Sequence, residues 1–600
     1  MIRSFQWDLA RQVERLDWLL DQLPRYADWG YQEVHLHLED AVEYPSLPGV
    51  ARRDAYSYRQ FERLVAAATR AGIGVVPIVN LLGHTQYLIK VPELRDLNEL
   101  RAPDGSPLET GQICPLHPRT LEIAEKLLRD MAPFSTAGKV HVGLDESFHL
   151  GKHPLSQREV AEIGLAAHFA GYVNRLHGLV RGLGLKMGLW ADMLYFLPEA
   201  IPLLPPEITA YEWYYYAFRR RPRVELFNFA EADLATPLRA RGIAMYGCPM
   251  NGAFRFEPMP HFSDRMANIL SWWRYSRKIG AAGFLVSGWE PYRLAIELMT
   301  AVDAAAAGLW LEPEIDDPRE MLARGFERAF GREGRAAARV ALACDKYPFA
   351  GYPRWQINER WDAVSRREPI AAYRREKIHF EKLARQCARQ KLPEALSASV
   401  ELRAYLAARD VYVRAGGAKP NVQKALRAAQ AMWRATRTPK DRGPNERILR
   451  ADAERLRAKR GAAGWQLCYR VGNFAPAMQL VGVEQQQADG TWRVIQSCHT
   501  IEFQDRAARP RGKMAREHGA PVAWDGDLAH PPKLRLFARG LGQVKVGAVE
   551  LMGPRRERVR ARLIGAGRAK WIALGVRAPR AGWPQFDWTT NRGEWPIELI

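Results

Sequence analysis

The stretch that decides the fold is "RTLEIAEKLLRDMAPF", residues 119–134, followed four residues later by "KVHVGLDES", residues 139–147. The first segment has apolar residues at helical spacing. In the second, Val140, Val142 and Leu144 alternate with His141, Gly143 and Asp145, and Glu146 follows at once. A period near 3.6 giving way to a period of two predicts a helix running into a strand. The same beat recurs along the first half of the chain. "VERLDWLLDQLPRYADWG" leads into "YQEVHLHLED", "SYRQFERLVAAATRAG" into "IGVVPIVNLLGH", and "REVAEIGLAAHFAGYVNRLHGLVRGLG" into "LKMGLWADML". "ITAYEWYYY", "GIAMYGCPMNGAF" and "AGFLVSGWEPY" continue it, and "SFQWDLA" supplies a first strand. Eight strands alternating with helices predict an α/β fold, a (β/α)₈ TIM barrel, over residues 1–312.

A barrel reading says where chemistry belongs, because active sites of this fold lie at the C-terminal ends of the strands. Each expected strand here ends on polar or aromatic side chains: Asp8 and Arg11, Glu39 and Asp40, Asn80 and His84, Asp145 and Glu146, Trp190 and Asp192, Glu212 and Trp213, Tyr246 and Asn251, Trp289 and Glu290. On a regular strand His141, Gly143 and Asp145 point inward and Glu146 outward. Both carboxylates reach one ligand only if the strand breaks at Asp145.

The remainder divides by period. Residues 313–463 read as helices rich in Ala, Arg and Leu. After Gly464 the period becomes two, in "WQLCYRVGN" and "KLRLFARGLGQVKVGAVELM", with Asp489-Gly490 as a hairpin signal. Residues 464–600 are therefore expected to form a β-sandwich. A chain of 600 residues exceeds one core, which stops growing at about 250–300 residues, so three regions are reasonable.

The net charge of +21 is concentrated beyond Pro313, in stretches such as "RREPIAAYRREK". Basic runs of this kind are solvated faces or docking sites for anions. No basic stripe interleaved with aromatics, of the kind single-stranded nucleic acid needs, is present, so nucleic acid is not an expected partner. The six cysteines are scattered, with no CxxC, which suits free buried thiols in a reducing compartment. The first residues carry charges throughout instead of an apolar signal core, and no apolar run approaches the ~18 residues of a membrane span. A cytoplasmic location without membrane attachment is the expectation.

At the strand ends the sequence resembles a known family. "HVGLDE" is similar to the H-x-G-x-D-E signature of family 20 glycoside hydrolases, the β-N-acetylhexosaminidases. "WDLAR" resembles that family's D-x-x-R on the first strand, "VHLHLED" its H-x-H-L-x-D on the second, and "VVPIVNLLGH" its P-E-I-D-x-P-G-H on the third. "GLWADM" and "GWEPY" fall where the family places tryptophans around the sugar. The resemblance implies a retaining exo-glycosidase that removes terminal β-linked N-acetylglucosamine or N-acetylgalactosamine, the substrate's own 2-acetamido oxygen replacing an enzyme nucleophile. It implies Glu146 as general acid and base, and Asp145 as the holder of the acetamido N–H. Arg11, His84, His141, Trp190, Asp192, Trp213, Tyr246, Trp289 and Glu290 are the expected substrate contacts, with Tyr246 on the acetamido carbonyl. Neither cofactor nor metal is implied. Ile78, Asn80 and Leu82 stand where the family has Glu, Asp and Pro, so support around the acids is expected to differ.

Two other classes fit parts of the pattern. His35-x-His37 places two histidines on one strand face, as in metal-dependent barrel hydrolases. The third-strand departures suit a carbohydrate-binding protein that has lost turnover. The C-terminal strands look like the galactose-binding-type modules appended to glycosidases, with an anionic polysaccharide as their expected partner. Trp583, Phe586, Trp588 and Trp595 would be sugar platforms or a cover for the helical region.

Overall fold

A computed structural model describes residues 1–600 apart from 103, 108–110, 219–232, 254–256, 290, 350–369, 438–442, 458–463, 474–478, 500–515, 541–543, 554–556, 566–571 and 575–591. The first eight strands are β1 (Ile2–Asp8), β2 (Glu33–His37), β3 (Gly74–Ile78), β4 (Lys139–His141), β5 (Lys186–Trp190), β6 (Thr209–Trp213), β7 (Ala244–Cys248) and β8 (Gly283–Val286). They pair in parallel in chain order, and β1 pairs with β8 to close the barrel. Helices cover the outside by the periodicity the sequence carries. The helix Tyr58–Arg70, for example, turns Phe61, Leu64, Val65 and Ala68 inward, and Ser57 with Gln60 forms a reciprocal capping box at its start.

Beyond the barrel lie the helices Pro318–Phe330, Gly334–Cys344, Ile370–Gln390, Glu394–Ala415, Val422–Thr436 and Pro444–Arg457. One apolar core runs from Phe5 in β1 through to Met432 in the helical region. The expected division near residue 312 is therefore a change of element type inside a continuous core. The helices seat on the barrel and are not strung behind it on a linker.

The C-terminal strands are β9 (Trp465–Asn473), β10 (Gln479–Gln486), β11 (Trp492–His499), β12 (Arg516–Val522), β13 (Leu534–Gly540), β14 (Val544–Met552), β15 (Arg558–Leu563), β16 (Ile572–Leu574) and β17 (Arg592–Leu599). Their antiparallel pairing follows one path, β11-β10-β13-β17-β15-β14-β9-β12, with β16 on β14. The path folds over one core. Leu467 and Tyr469 of β9 share a cluster with Val481 and Val483 of β10 and with Leu534 and Leu536 of β13. Gln485 of β10 spans that fold, donating to the Ala523 carbonyl at 2.6 Å and accepting from the Ala523 N–H at 3.0 Å, just past β12. The two faces of the expected sandwich are thus one continuously hydrogen-bonded sheet. Trp595 packs on this sheet's own core, and Trp583, Phe586 and Trp588 lie outside the described residues.

Cys114, Cys248, Cys344, Cys387 and Cys468 are free and buried. Among the described residues no helix is long and apolar enough to cross a membrane.

Candidate active site

β4 ends at His141, four residues earlier than the pattern required, and the chain then turns sharply. Gly143, Leu144 and Glu146 take φ of 72°, 78° and 49°. Non-glycine residues rarely adopt this left-handed region, and where they do the surroundings must hold them there. Among the described residues five non-glycines do so, and four of them, Glu39, His84, Leu144 and Glu146, sit just past the ends of β2, β3 and β4. Gly143 is required for a second reason: a Cβ there would lie 2.3 Å from Asn80 Oδ1. The third-strand loop is held equally close, since a Cβ on Gly83 would meet the Asp145 carbonyl oxygen at 2.1 Å.

This backbone brings the two acids together. His84 Nε2 lies 3.2 Å from Asp145 Oδ2 and 3.3 Å from Glu146 Oε2. Burial alone would depress the imidazole, but the two carboxylates outweigh it and hold His84 well above the ordinary histidine range. Asp192, just past β5, accepts the Glu146 backbone N–H at 2.8 Å and faces the indole N–H of Trp213 at 3.4 Å. Burial, and then the charges of Asp145 and Glu146, push the Asp192 carboxyl well above the usual carboxylate value.

A second polar group lies at the ends of β1 to β3. Arg11 Nη1 pairs with Glu39 Oε1 at 2.7 Å, and Arg11 keeps part of its side chain exposed. His37 Nδ1 lies 2.9 Å from Asp8 Oδ1. Asn80 Nδ2 reaches both His37 Nε2, at 3.0 Å, and Glu39 Oε1, at 3.2 Å. Asn80 therefore ties the second strand end to the third, the place where the family pattern has an aspartate.

Aromatic rings complete the site. Trp190 is buried, tilted over His141 at 4.4 Å and against Trp289 at 5.5 Å, so it forms floor, with His141 beneath it. Trp213 stacks on Tyr215 at 5.0 Å, and Trp289 stands edge-on to His37 at 5.1 Å. Tyr215 was not among the expected contacts. Burial, followed by the charges of Asp145, Cys248 and Glu146, raises its hydroxyl well above the ordinary tyrosine value.

One expected contact lies elsewhere. Tyr246 is in the middle of β7, and its hydroxyl accepts from Lys139 Nζ at 2.8 Å and lies 3.4 Å from Glu33 Oε2. Lys139 and Glu33 begin β4 and β2, so this hydroxyl points to the N-terminal end of the barrel, away from the acids. Its role at the acetamido carbonyl is thereby corrected. Glu290 lies outside the described residues. His35 and His37 face different partners: His35 Nε2 lies 3.6 Å from Glu33, while His37 engages Asp8 and Asn80. Among the described residues no group of three His, Cys, Asp or Glu side chains is arranged to hold a metal ion.

Residues 2–218, which include β1 to β6 and every catalytic candidate on them, match the pattern described as "Glycosyl hydrolase family 20, catalytic domain". This part of the chain is similar to the catalytic domain of glycosyl hydrolase family 20. A beta-hexosaminidase of Akkermansia muciniphila is 27% identical over 146 residues, covering 20% of this chain and 29% of that protein. Hexosaminidase D of Bos taurus is 21% identical over 310 residues, 48% of this chain and 85% of the relative. Among solved structures, the family 20 exo-β-N-acetylglucosaminidase from Vibrio harveyi in complex with N-acetylglucosamine is 18% identical, with a TM-score of 0.42 over 57% of this chain and 58% of that one. The chain thus spans under a third of the length of the Akkermansia relative.

Proposed function

We propose that the barrel is a retaining exo-glycosidase that releases a terminal β-linked N-acetylhexosamine by substrate-assisted catalysis. The observation that carries the reading is the convergence of Asp145 and Glu146 on the single imidazole of His84, at a strand end whose backbone turns through the left-handed region. In this reading the acetamido oxygen attacks C1 as the glycosidic C1–O bond breaks, and Glu146 gives its proton to the leaving oxygen. Asp145 holds the acetamido N–H and balances the positive charge of the bicyclic oxazolinium. Glu146 then takes a proton from water, which attacks C1 and reopens the ring, so the anomeric configuration is retained.

The surroundings support this division. His84, raised well above the ordinary histidine range by the two acids, fixes their relative position. Trp213, Tyr215 and Trp289 supply apolar faces for a pyranose, and the Tyr215 hydroxyl takes the acetamido contact first expected of Tyr246. Arg11, oriented by Glu39, presents its remaining donors to sugar hydroxyls. The C-terminal sheet, with its surplus of arginine, would dock an anionic polysaccharide.

The test is the requirement for the 2-acetamido group. An aryl 2-acetamido-2-deoxy-β-glycoside should be cleaved, the matching β-glucoside should be turned over at least about a hundredfold more slowly, and a thiazoline mimic of the bicyclic intermediate should inhibit strongly. Equal rates on the two glycosides would defeat substrate assistance.

A further inference from the structure

We infer that Arg437, in the helical region, is a positioning residue for the substrate pocket: it clamps together the loop that carries Arg11 and the loop that carries Trp289. The inference rests on the proposed glycosidase reading, and it extends the working pocket to a segment more than a hundred residues beyond the barrel.

Arg437 follows the helix Val422–Thr436 and is fully buried, as is Glu14. Its Nε lies 3.3 Å from Glu14 Oε1, and the two residues also form a backbone bridge. The next residue is held as well, since the Arg15 N–H donates to the Thr436 carbonyl at 2.6 Å. Gln12 donates to the same Glu14 carboxylate, so the segment from Gln12 to Arg15, immediately after Arg11, is fixed from the helical side. The other end of the guanidinium faces the last strand's loop. Arg437 Nη2 donates to the carbonyls of Pro291, at 2.8 Å, and Leu294, at 3.0 Å, in the turn that begins two residues after Trp289. Asn445 adds a reciprocal pair to that turn, donating to the Arg293 carbonyl at 2.8 Å and accepting from Arg293 Nη1 at 3.3 Å.

One planar cation thus pairs with a buried carboxylate and donates to two buried carbonyls from opposite sides of the barrel seam. A guanidinium has the fixed fork this needs, and an ammonium does not. A buried arginine costs desolvation, and replacing a whole buried ion pair by apolar side chains is often neutral for stability. Its place in the fold is therefore better explained by what it positions: the cationic contact and the aromatic wall that must grip one sugar ring.

The experiment compares Arg437→Met, Arg437→Lys and Asn445→Ala with Arg409→Lys. Arg409 is an equally buried arginine whose partners Asp410 and Asp452 lie within the helical region. Small displacements of positioning groups cost up to about a hundredfold in rate. Arg437→Met should raise KM about tenfold with a smaller change in kcat, Arg437→Lys should recover part of that, and Asn445→Ala should give a two- to threefold rise. Arg409→Lys should lower the melting temperature with KM unchanged. Hydrogen exchange read on residues 11–15 and 291–294 gives a second readout, expected to quicken in both loops in Arg437→Met only. Wild-type KM in both Arg437→Met and Asn445→Ala, or a KM rise in Arg409→Lys equal to that of Arg437→Met, overturns the inference. If wild-type protein cleaves no 2-acetamido glycoside, the glycosidase reading fails, and exchange in the two loops still decides the clamp.

Discussion

The barrel has a charged cluster at each end, and the two are built on opposite rules. At the N-terminal end Glu33 meets Lys139 at 2.5 Å, with His35 and the Tyr246 hydroxyl alongside. Burial there would raise the glutamate, but His35 and Lys139 more than offset it and hold its carboxyl at about 2. His35 itself is lowered by burial, so near neutral pH the lasting counter-charge is Lys139. At the C-terminal end two carboxylates, Asp145 and Glu146, share the His84 imidazole, and a third, Asp192, accepts the Glu146 backbone N–H beside them. The first cluster is neutralised pair by pair, as a fold-holding group should be. The second leaves more acid than base in a buried place, which a fold does not need and a proton-transfer site does.

The sharpest way to break this comparison is at Glu146. Glu146→Gln keeps shape and removes the transferable proton, so turnover of a disaccharide with a poor leaving group should fall by about 10²–10⁴-fold. The melting temperature should hold, because glutamine keeps the size and shape of the side chain. Near-wild-type turnover of that disaccharide would show that the acid lies elsewhere. At the opposite end the roles reverse. Lys139→Met strips Glu33 of its cation and should cost about 3 kcal/mol, as breaking buried pairs does, with kcat/KM of the folded fraction unchanged. Because Glu33 is depressed in the folded state, its stabilisation is present above pH ~4.5 and is lost as pH falls toward 2; in Lys139→Met acid unfolding should begin at higher pH, read by circular dichroism. An activity loss out of proportion to unfolding would erase the distinction between the two ends.

A finer test stays within the acid cluster. Asp192→Asn keeps an oxygen for the Glu146 N–H and removes a nearby negative charge, which lowers the pKa of a neighbouring acid. The alkaline limb of the kcat/KM profile should move to lower pH by up to about one unit, with activity at pH 5 within about threefold of wild type. An unmoved limb would mean that Asp192 positions Glu146 without tuning it.

Much of this architecture is legible in the sequence, because a parallel barrel writes one period change per strand and its chemistry collects at strand ends. Asp145, Glu146, His84 and Asp192, all at strand ends, lie in contact with one another in the fold. What stays hidden depends on depth along a strand and on distant partners. Tyr246 reads as a strand-end residue, yet β7 runs on to Cys248, and two residues of strand are enough to drop its hydroxyl into the Lys139–Glu33 pair. Tyr215 is hidden inside "YEWYYY", where β6 stops at Trp213 and the second tyrosine beyond it comes up beside the acids. The left-handed backbone at Glu39, His84 and Glu146 has no compositional signal, since glycine stands at none of the three. Arg437 reads as one more surface arginine in a basic region, and only the folded chain carries it to Glu14.

The smallest expected effect concerns how the acid loop is anchored. Past Glu146 the chain is tied down by Glu99, whose carboxylate accepts the N–H groups of Lys152 at 2.8 Å and His153 at 3.1 Å. Burial pushes this carboxyl up to about 7, against the opposing pull of those two backbone donors. A folded pKa above the unfolded one means that the native chain binds the extra proton, so this group's contribution to stability declines as pH rises from about 4.5 to 7 and is level beyond. Glutamine keeps the accepting oxygen and loses the titration. Glu99→Gln should therefore melt a few degrees higher relative to wild type at pH 8 than at pH 5, a shift of the size that fractions of a unit to a few kcal/mol produce in a long chain. If the two proteins keep a constant difference across that range, Glu99 is ionised in the folded loop throughout, and the backbone donors, not burial, govern its charge.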